Sequence, residues 1–134
     1  SKTVANINID MIGRRDDKYK DVNNYTYVIG SDRLSTELHQ VHENINTKYS
    51  QLILDYTYNS ENDPNRYYYR SDHYNFAEQN IPAIFFFSGT HEDYHRITDD
   101  PEKIDFQKME VIARHIFLLA WDLANRTERI KLNQ

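Results

Sequence analysis

Histidine and carboxylate side chains are concentrated in two short segments of this 134-residue chain. Asp10 closes an otherwise apolar, strand-like stretch, and the segment Thr90–His95 contains two histidines, a glutamate and an aspartate. Imidazole nitrogens and carboxylate oxygens are zinc ligands, so both segments are candidates for metal binding. The simpler interpretations are a carboxylate that caps the following turn and a solvated polar loop. Taken separately, the residue types leave both interpretations open.

A third polar segment, Arg70–His73, follows three consecutive tyrosines. Its simplest interpretation is a helix cap after an aromatic run. The alternative is that Asp72 or His73 orients a neighbouring metal ligand through a hydrogen bond, as groups behind metal ligands commonly do.

Other charged and histidine residues are interpreted as structural or exposed. His39 and His42 are three residues apart on a predicted helix, far in sequence from the other clusters, and His91 is treated in the same way. The charged run Arg14–Lys18 is interpreted as a solvated loop.

Secondary-structure elements that would position these residues follow from hydrophobic periodicity. Alternation or short apolar runs predict four strands, at Val4–Ile12, Tyr25–Ile29, Gln51–Tyr58 and Ala83–Phe87. Apolar residues spaced by three and four predict helices at Thr36–Lys48, from a Ser71 cap to Asn80, and from an Asp105 cap onward.

The two longer helices have recognisable buried stripes. In the first helix, which Ser35 caps, the stripe comprises Leu38, Val41, Ile45 and Tyr49. In the last, the predicted stripe comprises Phe106, Met109, Ile112, Ile116, Leu119 and Leu123, and Trp121 is expected to widen it.

Strands that alternate with helices predict an α/β fold. We expect a three-layer sandwich with a mixed, mostly parallel sheet. In such sheets ligands bind beyond the carboxyl ends of the strands. Asp10 and the Ser88–Asp100 loop both follow strands, so we expect the two polar clusters at one edge of the sheet.

Composition excludes several classes of protein. A net charge of −5 argues against a nucleic-acid partner, because phosphate binding relies on basic patches. The absence of cysteine excludes disulfides and thiolate metal sites. No apolar stretch approaches the roughly 20 residues of a membrane helix. The chain is long enough for one domain, and because it enters a strand pattern by Val4, we expect a fragment of a larger domain.

Three blocks of sequence, read in order, resemble metallopeptidase family M28, the co-catalytic zinc aminopeptidases. The matching blocks are Asn8–Gly13, then Ser71–His73 with Phe76 and Ile81–Ala83, then Tyr94–Asp100 with Lys103–Asp105. Their order and spacing match the family over nearly the whole chain.

The resemblance implies specific roles for residues in these blocks. Asp10 would bind one zinc ion, His95 the other, and Tyr94 would help to stabilise the oxyanion. Asp72 and His73 would support the site from behind the metal ligands. The implied activity is hydrolysis of the amino-terminal peptide bond of a peptide with a free amino group. Family members of this kind are commonly secreted or periplasmic, while the residues themselves leave the compartment undetermined.

One departure from the family pattern limits this expectation. The family takes a His, a bridging Asp and an adjacent Glu-Glu pair from segments upstream of the Asp10 strand, and no Glu-Glu pair occurs here. The chain would therefore be the carboxy-terminal half of a catalytic domain, inactive alone. An exposed sheet edge should then pair with the amino-terminal half or cause self-association. The alternatives are a non-catalytic binding or dimerisation module and a glutaminyl-cyclase-like acyltransferase.

Overall fold

The computed structural model describes residues 2–134, and these residues form an α/β sandwich. The strands of this described part are β1 (Asn6–Ile9), β2 (Tyr25–Ile29), β3 (Ile53–Asp55) and β4 (Ala83–Phe87), and its α-helices are α1 (Thr36–Ile45), α2 (His73–Ala77) and α3 (Phe106–Asn125). The strand order is β1-β4-β2-β3. Pairs β1–β4 and β2–β3 are parallel and pair β2–β4 is antiparallel, so the predicted mixed, mostly parallel sheet is confirmed.

The two faces of the sheet have different cores because side chains alternate along each strand. One face carries Val28, Ile84 and Phe86 and packs against the buried stripes of α1 and α3. The opposite face is mainly aromatic. Its buried residues are Tyr25, Tyr27, Ile29, Tyr68, Ala77, Ala83, Phe85 and Phe87. The sheet therefore forms the middle layer, with α2 packed over the aromatic face.

A pair of imidazoles lies within the aliphatic layer. His42 Nδ1 and His115 Nε2 are 2.8 Å apart, and both side chains are fully buried. His42 Nε2 lies 3.1 Å from the Tyr56 hydroxyl, which donates to Glu43, and His115 Nδ1 lies 2.8 Å from Ser50 Oγ. The pair is therefore part of a continuous hydrogen-bonded chain between α1 and α3.

The residues after α3 cross the beginning of α1. Ile130 is buried, and the carbonyl of Lys131 accepts a hydrogen bond from Ser35 Oγ at 2.6 Å. The side-chain oxygen of Asn133 accepts from the Thr36 amide at 2.8 Å. This supplies a partner for one of the amides that a helix leaves unpaired in its first turn.

Helix caps at Ser35 and Asp105 are confirmed, because each side chain accepts from the backbone amide three residues on. The predicted cap at Ser71 is wrong. Asp72 occupies the N-cap position of α2, and the Ser71 hydroxyl is used elsewhere. The strand predicted over Gln51–Tyr58 is shorter, since the Asp55 side chain accepts from the Thr57 amide and bends the chain into a turn.

Several residues predicted for the core are exposed. Trp121 is 61% exposed and Phe106 is 67% exposed, because α3 buries the opposite face. Tyr49 is 57% exposed because the α-helical path ends at Ile45 and widens into a π-turn. Within the described residues, no helix combines the length and apolar character needed to cross a membrane.

Candidate functional site

Asp10 lies directly after β1, at the edge of the sheet where the parallel strands β1 and β4 end. Its amide donates to the carbonyl of Phe86 at 3.2 Å, which continues the strand pairing. The next residue, Met11, has a φ of 61° and turns the chain away from the sheet. The carboxylate of Asp10 is therefore attached to a rigid element at the point where the chain turns.

One oxygen of Asp10 is held by a short chain of hydrogen bonds. Ser71 Oγ donates to Asp10 Oδ2 at 2.8 Å, and Asn8 Nδ2 donates to Ser71 Oγ at 2.8 Å. No hydrogen bond to Asp10 Oδ1 is formed by the described residues. The arrangement fixes the carboxylate while leaving one oxygen free for a ligand.

His73 lies behind this series of hydrogen bonds, and Asp72 does not. The His73 ring is fully buried and stacks on Phe85 with ring centroids 4.8 Å apart. Its Nδ1 is 3.5 Å from Asn8 Nδ2, and its Nε2 has no hydrogen-bond partner. Burial lowers the pKa of His73 to about 4, so the ring is neutral near pH 7. Asp72, the N-cap residue of α2, is exposed.

Tyr94 and His95 lie in the loop between β4 and α3. Their rings stack with centroids 4.0 Å apart. His95 has a φ of 58°, a left-handed conformation that costs a non-glycine residue roughly 1–2 kcal/mol. The amide of Arg96 donates to the carbonyl of Asp93 at 2.8 Å and closes the turn on which His95 stands. Such a conformation persists only where the surrounding structure holds it.

The two segments meet in one cleft of about 640 Å³. Asp10, Tyr94 and His95 all line it. The remaining lining residues are Met11, Gly13, Arg14, Arg70, His91, Asp99, Asp100, Pro101 and Ile104. The structure therefore places the three residues in one cleft, with Ser71 and His73 behind Asp10, while His39 and His42 lie outside the cleft lining.

A second group of possible metal ligands lies in the wall of this cleft. His91, Asp93 and Asp99 each offer a ligand atom, and these atoms lie within 4.8 Å of one another. Arg14 donates to Asp93 at 2.7 Å and to Asp99 at 2.9 Å, so a guanidinium already pairs with both carboxylates. Lys103, Thr98 and Arg14 together hold the pKa of Asp93 well below its usual range. A metal ion here would have to compete with Arg14.

Two residues of the site were assigned other roles from the sequence. Ser71 was predicted to cap a helix, and its contact with Asp10 spans 61 residues of sequence. Arg14 was predicted to be solvated, whereas only 18% of its side chain is exposed. No local sequence pattern distinguishes these two residues from a helix cap or a solvated charge. A usable signal is their position, since Ser71 lies in one of the family-like blocks and Arg14 lies four residues after Asp10.

Comparisons with known proteins agree with one another. The model of Peptidase family M28 matches residues 1–120. The crystal structure of the LapA aminopeptidase of Legionella pneumophila superposes with a TM-score of 0.69 at 22% identity, over 93% of this chain and 32% of LapA. A second LapA structure gives a TM-score of 0.63 at 21% identity, over 90% and 32%. The chain thus spans about a third of the length of these structures and shares their fold. No curated protein matches it.

Proposed function

The chain belongs to peptidase family M28, and on that premise we propose that it is the carboxy-terminal part of a zinc-dependent aminopeptidase domain. The observation that carries the proposal is the convergence of Asp10, Tyr94 and His95 in one cleft. This cleft lies beyond the carboxyl ends of β1 and β4, where α/β folds bind ligands.

The chemistry of the donor atoms fits zinc. Within residues 2–134, one carboxylate oxygen of Asp10 accepts no hydrogen bond and neither ring nitrogen of His95 has a hydrogen-bond partner. Both are among the usual zinc ligands. We propose that Asp10 binds one zinc ion and His95 the other.

The protein residues would divide the remaining tasks between them. The zinc ions would supply Lewis acidity and a lowered pKa of water when bound. Ser71 would keep the Asp10 carboxylate in one orientation, since its hydroxyl already donates to Oδ2. Tyr94 would donate a hydrogen bond to the oxyanion that develops at the scissile carbonyl. His73 would remain neutral behind Asn8, where its ring stacks on Phe85.

The rest of the site would come from outside this chain. A catalytic zinc ion usually has three protein ligands, and the chain would supply one for each ion. Because the chain spans about a third of the solved relatives, we propose that the other ligands and the general base lie in the remainder of the domain. Alone, the chain would be inactive.

The fold leaves apolar residues exposed on the edge strand β1 and, separately, on α3. β1 is at the edge of the sheet, and Ile9, Phe117 and Trp121 are 49%, 62% and 61% exposed. Open strand edges and exposed apolar patches promote association. We propose that the open edge of β1 pairs with the remainder of the domain, and that the isolated chain self-associates through it.

Zinc titration of the purified chain by calorimetry tests the metal assignment. We expect weak binding that His95→Ala and Asp10→Asn each reduce, that the double variant abolishes, and that His39→Ala, which alters a histidine outside the cleft, leaves unchanged. Tight binding by the unsubstituted chain would instead mean that it assembles a site with more ligands. The proposal that the chain is inactive alone would then be dropped. Binding that survives both His95→Ala and Asp10→Asn would place the metal elsewhere.

Activity is tested in the whole protein that contains this chain. We expect chelator-sensitive release of the amino-terminal residue from peptides, lost in Asp10→Asn and His95→Ala. Retained hydrolysis in both variants would exclude these residues as zinc ligands.

A further inference from the structure

The charged segment Arg14–Lys18 connects the turn after Asp10 to several other elements. Four residues of this segment form hydrogen bonds, each to a different part of the fold. Arg14 donates to Asp93, Arg15 to Asp105, and Lys18 to Asp55, while Asp16 accepts from Tyr27. The interpretation as a solvated loop is therefore wrong for Arg14, Arg15 and Asp16, which are partly buried, while Asp17 and Lys18 are exposed.

Arg14 has a special position among these residues. It lies four residues after Asp10, and Asp93 lies two residues before His95. The side chains of Arg14 and Asp93 are 2.7 Å apart, and 18% of the Arg14 side chain and 7% of the Asp93 side chain are exposed. A second nitrogen of the same guanidinium contacts Asp99 at 2.9 Å, on the other side of His95. One side chain therefore joins the segment that carries Asp10 to both flanks of the loop that carries His95.

Asp93 connects Arg14 to other residues of the loop and to the segment that follows it. One of its oxygens accepts from Thr98 at 2.6 Å and from Lys103 at 2.8 Å, while the other accepts from Arg14. Nothing but turns and a short 3₁₀ helix lies between β4 and α3, so the loop has no ladder of backbone hydrogen bonds to hold it. The side-chain contacts at Asp93 therefore add to the few turn hydrogen bonds that support the loop around His95.

From this arrangement we propose that Arg14 is a positioning residue. It fixes His95 relative to Asp10 by forming ion pairs with the loop on both sides of His95. The proposal rests on the proposed function, in which these two residues bind the paired metal ions. Arginine suits the task because its planar fork offers separate N–H groups to two carboxylates at once. A lysine, with one ammonium, would retain the charge and lose part of the geometry.

The relative placement of the two segments can be measured without zinc. The chain has no cysteine, so Ile9→Cys and Ile97→Cys can each carry one spin label. Ile9 is next to Asp10 and 49% exposed, and Ile97 is two residues after His95 and fully exposed. Double electron–electron resonance on labelled chain diluted into an excess of unlabelled chain then reports the distribution of distances between the two segments within one chain. We expect a narrow distribution in the parent, one at least twofold broader in Arg14→Gln, and an intermediate width in Arg14→Lys.

A matched control is Arg114→Gln, which removes an arginine in a single exposed ion pair with Glu110. We expect its distribution to equal that of the parent. An unchanged width in Arg14→Gln would overturn the proposal, including when the melting temperature falls, since Arg14 would then only stabilise the fold. A broad distribution in the parent would overturn it as well.

Zinc alone, titrated into the unlabelled chain and its Arg14→Gln variant, separates this proposal from the proposed function. We expect the variant to bind at least threefold more weakly. Broadened distances with unchanged affinity would overturn the positioning role. If the parent binds no zinc, the metal assignment fails, and the distance measurement alone decides whether Arg14 fixes the two segments.

Discussion

Acid should destabilise the protein through its buried histidine pair, and His115→Gln should remove a large part of that effect. His115 is fully buried, and burial lowers its pKa to about 4. The pKa of His42 also lies well below its ordinary value, first through burial and then through the neighbouring His115 and His39. The other groups that face the pair are Tyr56, Glu43 and Ser50. Glutamine keeps hydrogen-bonding capacity at position 115 and does not titrate.

The sign of the effect follows from proton binding. An unfolded histidine has a pKa of about 6.5. Between about pH 4 and 6.5 the unfolded chain binds a proton at His115 that the folded chain does not, so stability is lost as the pH falls through this window. For one such group, the loss from pH 7 to pH 5 is about 2 kcal/mol. Its sign is opposite to that of a histidine stabilised by a carboxylate.

Urea unfolding at pH 7 and pH 5 measures this loss in the parent and the variant. We expect the parent to lose about 2 kcal/mol more than His115→Gln between these two values. His39→Gln is the matched control, since it removes a partly exposed imidazole from the same region. An equal loss in the parent and in His115→Gln would refute the reasoning, because the buried pair would then not bind protons differently in the two states.

Three further predictions concern other parts of the molecule. Burial lowers the pKa of Lys108 to about 7, so the free energy of unfolding should rise as the pH is raised from 7 toward 10, and Lys108→Met should flatten that rise in urea unfolding. Ser71→Ala should weaken zinc binding by the whole protein about tenfold, measured by competition with a chelator, because Asp10 loses its fixed orientation. Gly89 has a φ of 84°, and a Cβ there would lie 2.5 Å from the Asp16 carboxylate, so Gly89→Ala should cost at least about 1 kcal/mol in thermal unfolding. An unchanged pH profile, chelator competition or melting temperature would contradict the respective prediction.

Several parts of the fold that follow from local pattern were predicted correctly. The caps at Ser35 and Asp105 and the α/β class depend on residues close in sequence. The meeting of Asp10 and His95 at one edge was also predicted, because the carboxyl ends of parallel strands share an edge. These features needed no knowledge of which strands are neighbours.

The features that were missed depend on distant contacts. Arg14 pairs with Asp93 across 79 residues and Arg15 with Asp105 across 90, so a run that looks solvated in sequence is held by charges on other elements. Trp121 was misplaced for a different reason. Its hydrophobicity suggested burial, while its angular position on α3 is opposite the buried face. Hydrophobicity alone does not determine burial, since exposed aromatic residues can mark a surface for another segment.

The contact between Asn133 and the start of α1 has a consequence for the order of events during synthesis. The Thr36 amide and its Asn133 partner are 97 residues apart, so the ribosome completes α1 long before it adds the residue that satisfies this amide. Until Asn133 is added, the Thr36 amide lacks this partner, and Ser35 is the residue that caps the first turn. Residues 130–133 lie beyond the part matched by the family, and the first turn of α1 gains these contacts only after they have been synthesised.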